Sequence, residues 1–390
     1  MAATPGDHPL AAQAPPTGLD PPAAAAWRGR VVRAVEEAVQ PALAHLRAVL
    51  RDELLPVARA DERPGLCHLD GGRGDYERLL WASTSLPLTA DAVHDLGLEQ
   101  LAALDGEYRT LGPDCVGTAD PVEVRERLRS DPTLRYASVA EILTDARAML
   151  ARAEAEAGRW FLRLPRAACT ARALTTGPAA FYTGPSPDGF RGGTFFLNAT
   201  DPSSWSRYQL EATAFHEGVP GHHLQVALGQ ELRLHPVLGE LEVDSFSEGW
   251  GLYAERLADE MGLYSTPLQR LGMVTLDSMR AARLVVDTGL HDRGWTRSEA
   301  VEFMFGRTAQ PRASVVAEVD RYIADAGQAV SYLVGRQELR RLRDGAERAL
   351  GDRFDIRSFH DRVLRHGMAP FPALARSLDA WACGAGARPP

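Results

Sequence analysis

The stretch ATAFHEGVPGHHLQ, residues 212–225, carries three histidines and a glutamate within eight residues, interrupted by Pro-Gly. A His-Glu pair followed by a second His one turn later offers two imidazoles to one metal ion, and the Glu as a base for the water beside it. Helical geometry puts that second His four residues after the first, where this chain has Pro220. In an unbroken helix His222 would be rotated by about 600° from His216 and face away. His223 would return to the same face, but about 10 Å along the axis, too far to share the ion. The Pro-Gly pair supplies the remedy. Pro220 removes a backbone donor and Gly221 tolerates unusual dihedrals, so a local bulge brings His222 to the place normally four residues after His216. On this reading His223 is a substrate contact; the rival reading makes His223 the ligand and His222 the contact.

Two histidines leave a third donor to find, because catalytic sites hold zinc by three protein ligands with one position open. The segment SFSEGWGLYAERL, residues 245–257, provides Glu248, far enough from His222 for a helix, a loop and a crossing helix. Glu255 follows two turns later on the same face, placed to order a ligand from behind. Its competing use is an ion pair with Arg256 or Arg280. Just upstream of the motif, TFFLN (194–198) reads as a short strand after a Gly-rich loop. An extended segment beside such a site pairs with substrate backbone, and Asn198 could hold a substrate carbonyl.

The rest of the chain reads as helix. From Ala24, apolar residues recur every three or four positions, with Pro41 and Pro56 as boundaries or kinks. Helices follow over 86–112, with Thr89 or Asp91 near the start, then over 121–131 and 138–158. After Ser203 helix runs nearly to the end, with breaks near 229–236, 264–267, Gly294 and Gly351. The expected fold is mostly α, with a small β element next to the motif helix. The expected divisions are a disordered Ala/Pro-rich leader (1–25), an N-terminal helical region (26–160), a catalytic helical region (161–383) and a tail (384–390).

Composition narrows the chemistry. The 390 residues carry a net charge of -9, which opposes a nucleic-acid footprint. No apolar run reaches the ~18 residues of a membrane span, and the first residues lack a signal peptide's basic start, so a cytoplasmic protein is expected. Every basic residue is arginine, so lysine Schiff-base and pyridoxal phosphate chemistry are excluded. Cys67, Cys115, Cys169 and Cys383 lack CxxC spacing and read as small core fillers.

HEGVPGHHLQ followed by SEGWGLYAERL resembles the bacterial "domain of unknown function 885" family, predicted metallopeptidases with HExxPGHH and EGWxxYAE motifs, distantly similar to the helical gluzincins. The resemblance extends to GPSPDGFRGGTFFLN (184–198), RLVVDTGLHDRGWTRSEAVEFM (283–304), DRYIADAGQAVSYLVGRQELRRLR (320–343) and GDRFDIRSFHDRVLRHGMAPF (351–371). It implies a helical gluzincin-like body, His216, His222 and Glu248 as zinc ligands, and Glu217 as the base. Two departures stand out. The family generally has a longer N-terminal portion, which in helical gluzincins helps wall the substrate channel, and its Pro-Gly-Gln is here Ala326-Gly327-Gln328. The shorter front permits a specialised role on a small biosynthetic intermediate.

Arg280, Arg283, Asp287 and His291 fall on one helix face. A buried stripe of that kind could bind a substrate carboxylate through an Arg and bring His291 near the metal. Tyr322 and Tyr332 are candidates for holding the oxyanion, and Arg321 for a substrate carboxylate. The expected function is zinc-dependent hydrolysis of an amide in a short peptide or peptide-like molecule, with one Zn²⁺ per chain and no nucleic-acid or membrane partner; the oligomeric state stays open. One alternative is a non-hydrolytic metalloenzyme using zinc or Fe²⁺. Another is an inactive binding module.

Overall fold

The computed structural model describes residues 4–186, 188–232, 238 and 241–384. Two compact units divide it, Met1–Ala60 and Asp61–Pro390. The boundary expected at residue 160 therefore falls inside the second unit, where the helix ending at Ala157 packs on the motif helix and on a strand.

In the first unit helix α1 (Pro21–Ala34) begins within the expected leader. Asp20 caps it by accepting from the Ala23 amide at 2.7 Å, and Pro21 fills the first position, where no amide donor is needed. The alanines that suggested disorder are strong helix formers once this cap exists. The helical path continues through a wide turn at Val35–Val39, α2 (Gln40–Val49), a second wide turn at Leu50–Leu54 and a tight final turn at Leu55–Val57. Pro41 does not end it. The wide turn just before Pro41 bonds the Gln40 amide to the Val35 carbonyl, and Pro41 itself needs no acceptor.

The second unit opens with α3 (Gly72–Thr84), α4 (Ala90–Val116), α5 (Pro121–Ser130) and α6 (Val139–Ala157). Thr89 caps α4 and Ser138 caps α6, each accepting from the amide three residues on. Three strands follow, β1 (Cys169–Leu174), β2 (Ala180–Thr183) and β3 (Gly193–Asn198), in the order β1-β3-β2. β3 is parallel to β1 and antiparallel to β2. Then come α7 (Leu210–Glu217), α8 (His222–Glu231), α9 (Asp244–Glu260), α10 (Pro267–His291), α11 (Arg297–Arg307), α12 (Arg312–Ala324), α13 (Ser331–Leu350), α14 (Ile356–Leu364) and α15 (Phe371–Ala382). The fold is mostly α with one small sheet, as the sequence leads one to expect. The expected break at 229–236 and the expected tail lie partly outside the described residues.

Helix α10 is the axis of this unit. From Leu271 to His291 every residue but Met279 is buried. A helix buried all round is normally apolar throughout. This one carries Asp277, Arg280, Arg283, Asp287 and His291, so each needs a partner supplied by another helix. Two apolar clusters flank it. One gathers α6, the sheet, α7–α9 and the C-terminal helices around Phe215, Phe246, Trp250 and Phe359. The other gathers α3–α5 and α10–α13 around Tyr76, Tyr108 and Tyr322. None of the four cysteines is fully buried: three are partly buried, Cys383 is exposed, and all four are free. Among the described residues no helix is long and apolar enough to cross a membrane.

Candidate metal centre

Helix α7 ends at Glu217, and the chain turns through Gly218–Gly221 before α8 starts at His222. Gly221 sits so close under α7 that a Cβ there would lie 1.8 Å from the His216 carbonyl oxygen. The Pro-Gly segment is thus a full break between two helices, more than a bulge within one. It brings the rings of His216 and His222 to 4.7 Å between centroids at 88°. Glu248, one turn into α9, completes the group: one ligand atom from each of the three lies within 4.8 Å of the others. Glu248 Oε2 is 3.4 Å from His216 Nε2 and 3.6 Å from His222 Nε2. Two donors ~2.1 Å from a tetrahedral zinc are separated by roughly 3.4 Å, so this donor set fits the ion.

Both imidazoles are oriented from behind. His216 Nδ1 donates to Glu255 Oε1 at 2.8 Å and His222 Nδ1 donates to Gln225 Oε1 at 3.2 Å, which leaves each Nε2 facing Glu248. Glu255 is fully buried and is set by its own element, two turns beyond Glu248 on α9. Arg256 is not its partner, pairing with Glu107 and Asp277 instead. Gly251 makes room for the first imidazole, since a Cβ there would fall 2.5 Å from His216 Cε1.

The electrostatics are those of a site built for a cation. Burial by itself would push His216 down, but the Glu248 and Glu255 carboxylates hold it up, at about 10. Burial would raise Glu248, yet the two imidazoles hold it well below the usual carboxylate range. Protons stand where a divalent ion would neutralise the same carboxylate. Glu217 is driven the other way. Its burial raises its pKa, with the His216 and His222 charges opposing. A carboxyl raised toward neutrality beside a metal-ligand group is suited to taking a proton and giving it back.

His223 points out of this group. Its Nε2 donates to the Ala167 carbonyl at 2.9 Å and its Nδ1 accepts from Tyr182 on β2 at 2.9 Å. With both nitrogens occupied and burial lowering its pKa, it is a neutral tie between α8 and the sheet. Neither ring nitrogen is left for the His216, His222 and Glu248 group.

A family model described as "Bacterial protein of unknown function (DUF885)" matches residues 2–378. The chain belongs to this family. Among solved structures it is similar to "the putative lipoprotein from Colwellia psychrerythraea", with TM-score 0.89 and 30% identity over 94% of this chain and 64% of that one. The chain thus spans a little under two thirds of that protein's length. It also shares its fold with "a putative lipoprotein of unknown function from Shewanella oneidensis", at TM-score 0.71 and 19% identity, over 92% of this chain and 67% of the other. No curated protein matches it.

In this member of the family the remaining candidate residues separate into two sets. Tyr332, on α13, stays with the metal-ligand group. Burial raises its pKa, and the Glu248 charge adds to the rise. Arg280 stays as well, 3.8 Å from Glu255 through Nη2 and 5.8 Å from the Tyr332 ring centroid. The others are bound up elsewhere. His291 donates from Nε2 to the Tyr322 carbonyl at 2.9 Å and accepts at Nδ1 from the Leu66 amide at 3.2 Å, so it braces two segments and is no acid-base group. Asp287 accepts from Tyr76 at 2.6 Å and from the Gly327 amide at 3.0 Å. Tyr322 is fully buried, donating to Glu318 and accepting from Arg283 Nε at 2.8 Å, which removes it as an oxyanion donor. Arg321 is spent on Gln328 and Glu318. Asn198 lies at the far end of β3, where its amide donates to the Gly177 carbonyl and its oxygen accepts from Thr200. Nor can β3 pair with a substrate, since β1 and β2 occupy both its edges; β2, packed on α7 and α8, is the edge strand near the site.

Sequence reading missed Gln225, Gly251 and Tyr182. The first two lie inside the quoted motifs, one helical turn from a ligand or facing it across α9. Tyr182 has no local signal and meets His223 only through the sheet.

Proposed function

We propose that the chain is a zinc-dependent hydrolase that cleaves an amide bond in a short peptide or peptide-like molecule. The observation that carries this reading is the convergence of His216, His222 and Glu248, each imidazole turned by a buried acceptor so that its free nitrogen meets the same carboxylate. Zinc held by these three would supply a Lewis acid that polarises the amide carbonyl and acidifies water. Glu217, raised by burial, takes a proton from the attacking water at its carboxylate and returns it to the leaving nitrogen. The Tyr332 hydroxyl, which makes no hydrogen bond among the described residues, donates to the carbonyl oxygen as negative charge builds there. Buried residues on α7, α9 and α10 surround the group. The net charge of -9 favours neither nucleic acid nor an anionic membrane surface as partner. A cytoplasmic location is part of the proposal, and fractionation of the producing cell against the lipoprotein description of the two neighbours tests it.

Metal analysis by mass spectrometry on protein purified without added metal tests the centre. The wild type should hold about one zinc per chain. His216→Ala, His222→Ala and Glu248→Ala should lose it, and His223→Ala should keep it. Glu217→Gln should keep zinc and lose hydrolysis of an acyl-dipeptide library. Iron in place of zinc, with no amide cleaved, would move the reading to a non-hydrolytic metalloenzyme. No metal after zinc is offered would leave a binding module.

A further inference from the structure

Two arginines one turn apart on α10, Arg280 and Arg283, flank the ring of Tyr332. Their guanidinium carbons lie 5.8 and 4.4 Å from its centroid. Both side chains are buried, yet three of their nitrogens have no hydrogen-bond partner among the described residues: Nε and Nη1 of Arg280, and Nη1 of Arg283. Buried arginine donors are ordinarily paired. The two differ in how far they are neutralised. Arg283 has a full ion pair with Glu318 at 2.8 Å and a bond to Tyr322. Among the described residues Arg280 has one ion pair, with Glu255 at 3.8 Å, beyond hydrogen-bonding reach; the nearer Glu255 oxygen already accepts from His216, and Glu217 is within electrostatic range but is raised toward neutrality by burial. Asp287, the acid on the next turns of α10, faces Tyr76 and Gly327. Arg280 is therefore a desolvated cation with two donors to spare, one contact away from the residue that orients a metal ligand.

Resting on the metal-site reading, we propose that Arg280, backed by Arg283, is the subsite for a free carboxylate of the substrate. Arg280 Nη2, too far from Glu255 to bond it, forms a parallel donor pair with Nε or with Nη1, and either pair matches both oxygens of a carboxylate. The Tyr332 ring lies beside both guanidinium groups and its hydroxyl feels the Glu248 charge, so a substrate whose carboxylate reaches Arg280 has its amide carbonyl near Tyr332 and the three proposed ligands. The path from Arg280 through Glu255 to His216 is short, 3.8 and then 2.8 Å, and an extended residue spans ~3.5 Å, so the substrate carries its carboxylate within a few residues of the amide that is cut. The substrate class is an N-acyl amino acid or a short peptide with an unblocked C-terminus. Capped or internal peptide segments are excluded.

Calorimetric titration with N-acetylglycylglycine and with its C-terminal amide tests this, using the full chain carrying Glu217→Gln so that no turnover intervenes. Each titration is made on zinc-loaded and on chelator-stripped protein. The acid should bind at least tenfold more tightly than the amide in both forms. Arg280→Gln should reduce that preference to less than twofold, and Arg280→Lys should restore part of it, with thermal unfolding and zinc content unchanged. Equal binding of acid and amide overturns the proposal. So does a preference that survives Arg280→Gln, or one that disappears with the metal, since the carboxylate would then be held by the ion. A preference that follows Arg280 in protein that takes up no zinc would uphold the subsite while the hydrolase reading fails.

Discussion

At the scale of single residues, the centre depends on groups that never touch a ligand atom's free side. Glu255 accepts from His216 Nδ1 and so decides which imidazole nitrogen faces Glu248. Glu255→Gln keeps the shape but offers a weaker acceptor or the wrong donor, and the tautomer is no longer fixed. Loss of such a partner weakens metal affinity by about 10–100-fold. Competition with a fluorescent zinc chelator should show that loss, with the circular dichroism spectrum unchanged; affinity within twofold of wild type would show that Glu255 serves only to neutralise Arg280. Much of this was legible in the sequence. Glu255 was placed behind the site by its two-turn offset from Glu248, and Pro220 with Gly221 announced that His222 would not follow helical phase. The α10 stripe was legible only in part. Arg280 and His291 do share a helix face, but they lie roughly 16 Å apart along its axis at 1.5 Å per residue, so one ion cannot serve both. Periodicity gives direction around a helix and says nothing of which neighbour waits at each level. Tyr322 and Asp287 escaped it for that reason, since Arg283, which bonds Tyr322, and Tyr76 and Gly327, which bond Asp287, come from other elements.

At the scale of elements, Glu248, the third of the proposed ligands, is delivered by a helix crossing. Helix α9 meets α13 where Gly249, next to Glu248, lies against Gly335. A Cβ on Gly335 would fall 1.8 Å from the Ser245 carbonyl oxygen and 2.8 Å from Gly249 Cα, contacts that only a shift of the two helices relieves. Overpacking of this kind costs about 1–3 kcal/mol, and here the shift also carries Glu248 and Tyr332 with it. Gly335→Ala should therefore lower the urea midpoint and reduce zinc occupancy together. Gly345→Ala is the control on the same helix, with nothing within 4 Å of the added carbon. It should leave zinc unchanged and gain up to ~1 kcal/mol from helix propensity. Equal behaviour of the two variants would remove the crossing from the account. The sequence shows the apolar spacing that makes α9 and α13 helices, but a glycine in a helix does not say what approaches it. The sheet was half legible for a similar reason. TFFLN is apolar enough to be read as a strand, whereas CTARAL (169–174) and AFYT (180–183) are short and mixed, and they become strands because β3 offers both of them an edge. The central position of β3, which bars it from a substrate, follows from pairings that no local pattern encodes.

At the scale of the whole molecule, acid should unfold the second unit through a histidine that is not one of the proposed ligands. His360, on α14, is fully buried; its Nδ1 donates to the Trp160 carbonyl at 2.9 Å and its Nε2 accepts from Tyr253 at 2.9 Å. It thereby ties α14 to α9 and to the end of α6. Burial is the main cause that pushes its pKa down, to about 3, with the nearby Arg343 charge adding to it. The folded pKa lies below the unfolded value of ~6.5, so in acid the unfolded chain binds a proton that the folded one refuses. Stability from this group is complete above pH ~6.5 and declines as pH falls toward 3, by about 2 kcal/mol at pH 5. Any bound metal would add a pH dependence of its own, so the experiment needs a form in which it is removed from the comparison. With His216→Ala as the common background, urea unfolding from pH 7.5 to 4.5 should show a steep fall in stability. His360→Asn in that background retains a donor for the Trp160 carbonyl but has nothing to protonate. It should be less stable at pH 7.5 and lose little more on acidification, so that the two curves converge near pH 5. Parallel curves would mean that acid acts through other groups, the buried carboxylate pairs of Asp277 with Arg256 and Arg336 being next, since those pairs hold Asp277 below the usual range and release their stability only at lower pH.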